Sequence, residues 1–184
     1  MTPHGPWTIT GTREVHRDPW VRLSVDDVIR PDGKPGTFTV VRITPGVSVL
    51  PLDADGFVYL NEEFRYAVGD VSLEVTSGGR EDGEDPTGAA RRELKEELGI
   101  EADDWVDLGR VNPFTSMVLS PVQMFLARSL RTGPPRREGT ELIRRVRVPL
   151  AGAVGAVMGG RITHAVSCVL ILKAARWLET GGGA

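Results

Sequence analysis

The densest chemistry in this chain lies between Gly78 and Ile100, in "GGREDGEDPTGAARRELKEELGI", where Glu93, Glu96 and Glu97 stand close together. Like charges three and four residues apart repel on a helix and cost it stability. Either the three carboxylates face water and do nothing, or something cationic sits among them. Helix signals bracket them. Asp85 suits the N-cap, Pro86 the first helical position, and Gly99 the left-handed turn beyond the last helical residue. At about 100° per residue, Ala90, Leu94 and Leu98 make one apolar stripe facing the core. Glu93 and Glu97 fall about 40° apart beside that stripe, and Glu96 about 60° to the other side of Glu93, so all three share one edge. Lys95 and Arg91 point toward solvent, while Arg92, one turn from Glu96, can pair with it. Hard-oxygen donors on one helix edge suit Mg²⁺.

The elements that must position this helix come before and after it. From Trp7 to about Tyr66 the pattern is mostly period-two or β-branched, in "WVRLSVDDVI", "TFTVVRI", "GVSVLPL" and "FVYLNEEF", with turn signals "PDGK" and "DADG". These predict antiparallel strands and hairpins. A short strand, "SLEVT", leads into a glycine-rich loop, "SGGREDGED", and then the helix. Further strands are expected at "WVDLGRV", "VQMFLAR" and "LIRRVRV", an exposed loop at "RTGPPRREGTE", and helices at "PLAGAVGAVMGG" and "THAVSCVLILKAARWL". This order predicts the α+β class, a mixed sheet flanked by a few helices.

With 184 residues, 40% hydrophobic and 26% charged, the chain is long enough for a sizeable core and is not generally disordered. A net charge of −3 provides no basic field for nucleic acid, so an anionic substrate needs local arginines or bound metal. Cys168, the one cysteine, lies in an apolar helical run and reads as a buried thiol. The N-terminus lacks a signal-peptide layout and no apolar run reaches spanning length, which predicts a cytoplasmic protein without membrane contact. His4, His16 and His164 have no metal-site spacing and are expected in surface or capping roles. Five arginines between Arg131 and Arg145 carry no interleaved aromatic, so they read as a solvated loop and strand.

A bare "RELKEEL" is common on solvated surfaces, but its surroundings are not. Gly78, Glu84, Arg92, Glu93, Leu94, Glu96, Glu97, Gly99 and Ile100 fit the spacing G-x5-E-x7-R-E-U-x-E-E-x-G-U, with U aliphatic. Seven fixed identities at background frequencies near 7% give a chance match on the order of 10⁻⁸ per starting position. The pattern resembles the Nudix box, and the chain resembles the Nudix hydrolases, which cleave nucleoside diphosphates linked to another moiety. The resemblance implies an α/β/α sandwich around a mixed sheet, divalent metal (Mg²⁺, with Mn²⁺ as substitute) and phosphoanhydride hydrolysis. By position it implies that Glu93 and Glu97 are the principal metal ligands, joined by the Ser77 carbonyl. Glu96 would lie near the metals or help activate water. Arg92 would brace the loop and glutamates, Glu84 would fasten loop to helix, and Gly78 would permit a backbone turn that a side chain would block.

Outside the box the chain is similar to the ADP-ribose pyrophosphatase group, through "PDGK", "VRITPGVSVLPLDADGFVYLNEEFR", Glu74 before the box loop, and "GRITHAVSCVLILKAA". That likeness implies an N-terminal strand extension over residues 1–45 that makes a homodimer and contacts substrate, a Nudix hydrolase domain over 46–180, and a disordered tail over 181–184. It implies that Phe38 stacks on adenine, that Arg42 reaches across from a partner subunit, that Arg65 binds phosphate and that Glu74 belongs to the substrate-binding set. For Phe38, packing on the sheet is the competing role. The general base is implied to be a glutamate of the loop "GPPRREGTE", Glu141 first and Glu138 second. Two departures bear on substrate: "TSGG" at Thr76–Gly79 replaces the group's Pro-Ala-Gly, and Thr115, Ser116 and Met117 replace its Ser-Pro-Gly. The resemblance implies ADP-ribose to AMP and ribose 5-phosphate as the reaction, and the departures leave ADP-glucose, GDP-mannose or another nucleotide sugar open as the small-molecule substrate. A non-catalytic nucleotide-binding module and an RNA-processing enzyme are the readings from other classes. The intact set of box glutamates argues against the first and the acidic balance against the second.

Overall fold

The computed structural model describes residues 1–135 and 142–182. In chain order its elements are β1 (Thr2–His4), β2 (Trp7–Arg17), β3 (Val21–Ile29), β4 (Pro35–Ile43), β5 (Gly46–Pro51), β6 (Phe57–Arg65), β7 (Asp70–Glu74) and β8 (Thr76–Gly79). There follow α1 (Pro86–Leu98), β9 (Ile100–Val111), β10 (Val118–Leu119), β11 (Val122–Thr132), β12 (Arg144–Pro149), α2 (Leu150–Met158) and α3 (Ala165–Glu179). The residues fall into two compact units, Met1–Pro45 with Asn112–Pro121, and Gly46–Val111 with Val122–Ala184.

The first unit is one sheet in the order β1-β2-β3-β4-β10. β2, β3 and β4 form the antiparallel hairpins that their alternating pattern predicts. Asp18 closes the first turn by accepting the N–H groups of Trp20 and Val21. β10 runs parallel to β4, Val118 opposite Val41. A two-residue strand is too short to show a period, so sequence alone does not mark it.

The second unit has a mixed sheet, β8-β5-β11-β9, in which β5 and β11 are parallel, and an antiparallel sheet, β12-β6-β7. Strand alternation splits the core into two layers. Val47 and Val49 of β5 and Phe125 and Ala127 of β11 pack with Ala89, Ala90, Leu94 and Leu98 of α1. Leu50, Met124 and Leu126, from the same strands, pack with Leu170, Ile171 and Ala174 of α3. Helices therefore cover both faces, an α/β/α sandwich. Among the described residues, no helix is long and apolar enough to cross a membrane.

The helix α1 forms for the local reasons read above. Asp85 accepts the N–H groups of Thr87 and Gly88, which removes two unpaired donors and stabilises the helix by about 1 kcal/mol. Gly99 adopts φ 63° and donates its N–H to the Leu94 and Lys95 carbonyls. Leu94 and Leu98 are fully buried, contributing about 2 kcal/mol each.

The sequence reading needs correction in several places. The opening "SGG" of the expected loop is not loop but, with Thr76, strand β8, paired antiparallel with β5 and Ser77 opposite Ser48. Its glycines hide a strand because neither carries a side chain to alternate. β9 begins at Ile100, not near Trp105, with Ile100 and Ala102 turned inward between exposed Glu101 and Asp103. Arg91 and Lys95 do not merely face solvent: Arg91 lies over the Trp105 ring and Lys95 pairs with Glu101. At the C-terminal end, the Gly181 and Gly182 N–H groups donate to the Leu178 and Trp177 carbonyls.

Candidate functional site

The second unit gathers most of the chemistry-bearing residues around α1. Arg92 is the hub of the loop between β8 and α1. Its Nε and Nη2 reach Glu84 Oε1 and Oε2 at 3.1 and 3.0 Å, and Nη2 also donates to the Gly79 carbonyl at 2.9 Å. Its Nη1 donates to Glu93 Oε1 at 2.8 Å and Glu96 Oε2 at 3.2 Å. Glu84 in turn accepts the Glu81 N–H, and Arg80 donates to the Glu84 carbonyl. One guanidinium thus ties the end of β8, the loop and two box glutamates together. The bond to Glu84 raises the Arg92 pKa above its ordinary value despite partial burial. The same bond holds Glu84 below its usual range. A carboxylate with a lowered folded value contributes stability above its unfolded pKa and loses it as pH falls through the folded value. Acid therefore loosens this loop.

The three box glutamates differ in surroundings. Glu97 is buried at 7% exposure, and the Asn61 amide donates to its Oε2 at 2.5 Å. Asn61 sits on β6, fully buried, and its Oδ1 accepts from Thr76. Glu93 folds over Gly78 of β8, so close that a Cβ there would lie 2.0 Å from the Glu93 carboxylate. Gly78 is therefore needed for close approach within a strand, not for a turn. Glu96 is the most open of the three.

On the neighbouring strands, Arg65 of β6 donates from Nε and Nη2 to Glu74 of β7 at 3.3 and 2.9 Å, while its Nη1 pairs with Glu63 at 2.9 Å. Burial, the largest single influence, would lower the Arg65 pKa, but the Glu74 bond and the charges of Glu74, Glu63 and Glu97 together raise it. Burial likewise pushes Glu74 up, and hydrogen bonds from Arg65 and Ser72 with the charges of His164 and Arg65 together bring it below the ordinary range.

A divalent ion suits this donor set by chemistry, since the carboxylates of Glu93, Glu96 and Glu97 and the Ser77 carbonyl are hard oxygens. Gly78 leaves room for the Glu93 carboxylate against the backbone beside Ser77. As the side chains stand, no three carboxylate, histidine or cysteine groups among the described residues converge closely enough to hold an ion. Arg92 takes the cation's place at Glu93 and Glu96.

In the first unit, Phe38 and Arg42 of β4 line a cavity of about 670 Å³ with Trp7, Asp26, Phe114 and Met117. Phe38 is partly exposed and meets Trp7 edge to face at 5.7 Å. Arg42 donates to the buried Ser24 hydroxyl at 3.0 Å. Glu138 and Glu141 lie outside the described residues.

Two polar residues of this region were not singled out as site residues. Asn61 reads as a polar interruption in a strand, and nothing local shows that its partner is 36 residues away. His164, expected at the surface or as a cap, occupies the N-cap position of α3 without making a capping bond. Its ring faces Ser167 and Glu74 instead.

Comparison with known proteins matches two family models, a nucleoside diphosphate sugar hydrolase N-terminal domain over residues 7–41 and a NUDIX domain over residues 42–153. The chain is 32% identical over 97 residues to a methanol dehydrogenase activator from Bacillus methanolicus, a match covering 52% of each chain, so it spans about half the length of that relative. It is 29% identical over 178 residues to an ADP-ribose pyrophosphatase from Mycobacterium tuberculosis, covering 94% of this chain and 84% of that one. A crystal structure of an ADP compounds hydrolase superposes with a TM-score of 0.85 over 99% of both chains at 23% identity, a likeness of fold.

Proposed function

The chain belongs to the NUDIX-domain family, and on that premise we propose that it hydrolyses the pyrophosphate bond of a nucleoside diphosphate joined to a sugar. The first substrate is ADP-ribose, giving AMP and ribose 5-phosphate. The observation that carries this reading is the carboxylate edge of α1, with Glu93 and Glu96 braced by Arg92 and Glu97 held by Asn61. The match of residues 7–41 to a nucleoside diphosphate sugar hydrolase N-terminal domain, and the pyrophosphatase named among the relatives, support the substrate class.

Glu93, Glu96, Glu97 and the Ser77 carbonyl are the residues that would hold Mg²⁺, or Mn²⁺ in its place. Bound there, the ion supplies positive charge to the diphosphate and lowers the pKa of a bound water. The chain's own groups do the rest. Arg92 and Glu84 fix the loop beside the carboxylates, Arg65 binds phosphate and is held by Glu74, and in the homodimer Phe38 stacks on the adenine and Arg42 reaches across from the partner subunit. The protein acts on a small molecule in the cytoplasm, not on nucleic acid. A panel of ADP-ribose, ADP-glucose, GDP-mannose and capped RNA, with products identified, tests the substrate class. ADP-ribose hydrolysed fastest agrees with the reading. Turnover of capped RNA alone contradicts it.

A water attacking phosphorus needs a proton acceptor, and a metal-bound carboxylate is a poor one because the ion holds its electron density. Glu141 is assigned that role, with Glu138 second. Glu141→Gln is expected to lower kcat by about 10²–10⁴-fold while KM and metal affinity stay near wild type. Wild-type kcat in that variant, with Glu96→Gln inactive, places the base on the helix.

A homodimer through residues 1–45 completes the proposal. Exposed Trp20, Ile43 and Val15 on the first unit give apolar area for such a contact. Sedimentation at micromolar concentration should show twice the chain mass. A monomer there counts against it.

A further inference from the structure

We infer that His164 is a positioning residue for Arg65, acting through the shared carboxylate of Glu74. This inference rests on the proposal that Arg65 binds a substrate phosphate. Three observations carry it. First, His164 sits where α3 begins but spends no hydrogen bond on the free N–H groups of that helix. A histidine serving as a cap would face them. Second, its Nδ1 lies 2.8 Å from Ser167 Oγ and 3.4 Å from Glu74 Oε2. With its proton on Nδ1, the ring donates to Ser167 and turns the same N–H edge toward the carboxylate, which can only accept. Third, the anchoring is buried and over-determined. Ser167 is fully buried and accepts the Val75 N–H at 3.0 Å, which fixes the start of α3 against the end of β7.

The consequence runs to the arginine. Glu74 Oε2 is the oxygen that Arg65 Nη2 contacts at 2.9 Å, and Oε1 receives Nε. With the polar edge of His164 set against the carboxylate from the α3 side, the guanidinium plane is fixed at two of its three nitrogens. The third, Nη1, is turned to Glu63, whose side chain is largely buried. A phosphate reaching Nη1 would replace Glu63 there while the Glu74 side of the fork stays rigid. Holding that fork in advance lowers the ordering cost of binding a phosphate. Without His164, Glu74 keeps its bonds to Arg65 and Ser72 but loses its contact on the α3 side, and the arginine fork is held less firmly. The effect falls on substrate binding, not on the carboxylates of α1 or on proton transfer.

The test compares His164→Leu, His164→Asn and Arg65→Ala in the full chain with ADP-ribose and Mg²⁺. Asn places an amide N–H near the position of Nδ1, and Leu does not. Arg65→Ala should raise KM by about a hundredfold and His164→Leu by about tenfold, both with kcat near wild type, and His164→Asn should restore most of the loss. A melting temperature for each variant confirms that the assay temperature lies below unfolding. If Arg65→Ala leaves KM unchanged, the phosphate role of Arg65 fails and the inference falls with it. If Arg65→Ala raises KM while His164→Leu lowers only the melting temperature, His164 is a structural residue and the inference alone is overturned.

Discussion

Glu97→Gln is expected to reduce hydrolysis on the order of a thousandfold, beyond the 10–100-fold losses typical when a group behind a metal ligand is changed. Glu93→Gln should behave the same way. Glutamine keeps the shape of the side chain but removes an anion, and a hard cation loses more from that than a folded protein does. Both variants should keep the far-ultraviolet spectrum of the parent. Neither Ala90 nor Leu94 nor Leu98, which seat α1 on the sheet, is altered. Divalent-ion affinity, measured by Mn²⁺ titration, should fall in parallel with activity. Near-normal turnover in Glu97→Gln at saturating Mg²⁺ would remove that residue from the metal site.

Gly78→Ala should be nearly as damaging, and for a reason that only the folded chain reveals. An added Cβ would lie 2.0 Å from Glu93 Cδ and Oε1 and 2.4 Å from Oε2. Something must move, and the cheapest movement is that of the flexible end of Glu93, not of the β8 backbone. The cost in stability is therefore small, while the carboxylate is driven off its place beside Arg92. Activity is expected to fall at least about a hundredfold, with a melting temperature within about 4 °C of the parent. Full activity in Gly78→Ala would show that the Glu93 conformation seen here is not the one used in the reaction.

Where the determinants are local, the sequence was readable. Asp85, Pro86 and Gly99 mark the limits of α1 because caps act within one turn, and the 3.6-residue period put Leu94 and Leu98 inside and three glutamates along one edge. Much of the strand pattern before it was readable for the same reason, as more and less buried residues alternate along β3, while β5, buried on both faces, reads as a short apolar run. What escaped depends on residues far apart in the chain. Asn61 meets Glu97 only when β6 and α1, 36 residues apart in the chain, are folded together, and His164 meets Glu74 across a separation of about ninety residues. Neither polar residue has a neighbour in sequence that announces its partner. β8 escaped because its pairing with β5 is set by backbone hydrogen bonds, which its two glycines make as well as any residue would. The loop glutamates Glu138 and Glu141 were named from resemblance and lie outside the described residues, so their assignment stands on the kinetic test.

The measurement that bears most directly on the central claim is product formation from ADP-ribose by metal-stripped protein, before and after addition of Mg²⁺. The account predicts no turnover without the ion, and AMP with ribose 5-phosphate in equal amounts once it is present. It also predicts that Glu97→Gln stays silent under both conditions. Binding of ADP-ribose without cleavage at any Mg²⁺ or Mn²⁺ concentration, or cleavage unaffected by chelator, would contradict it.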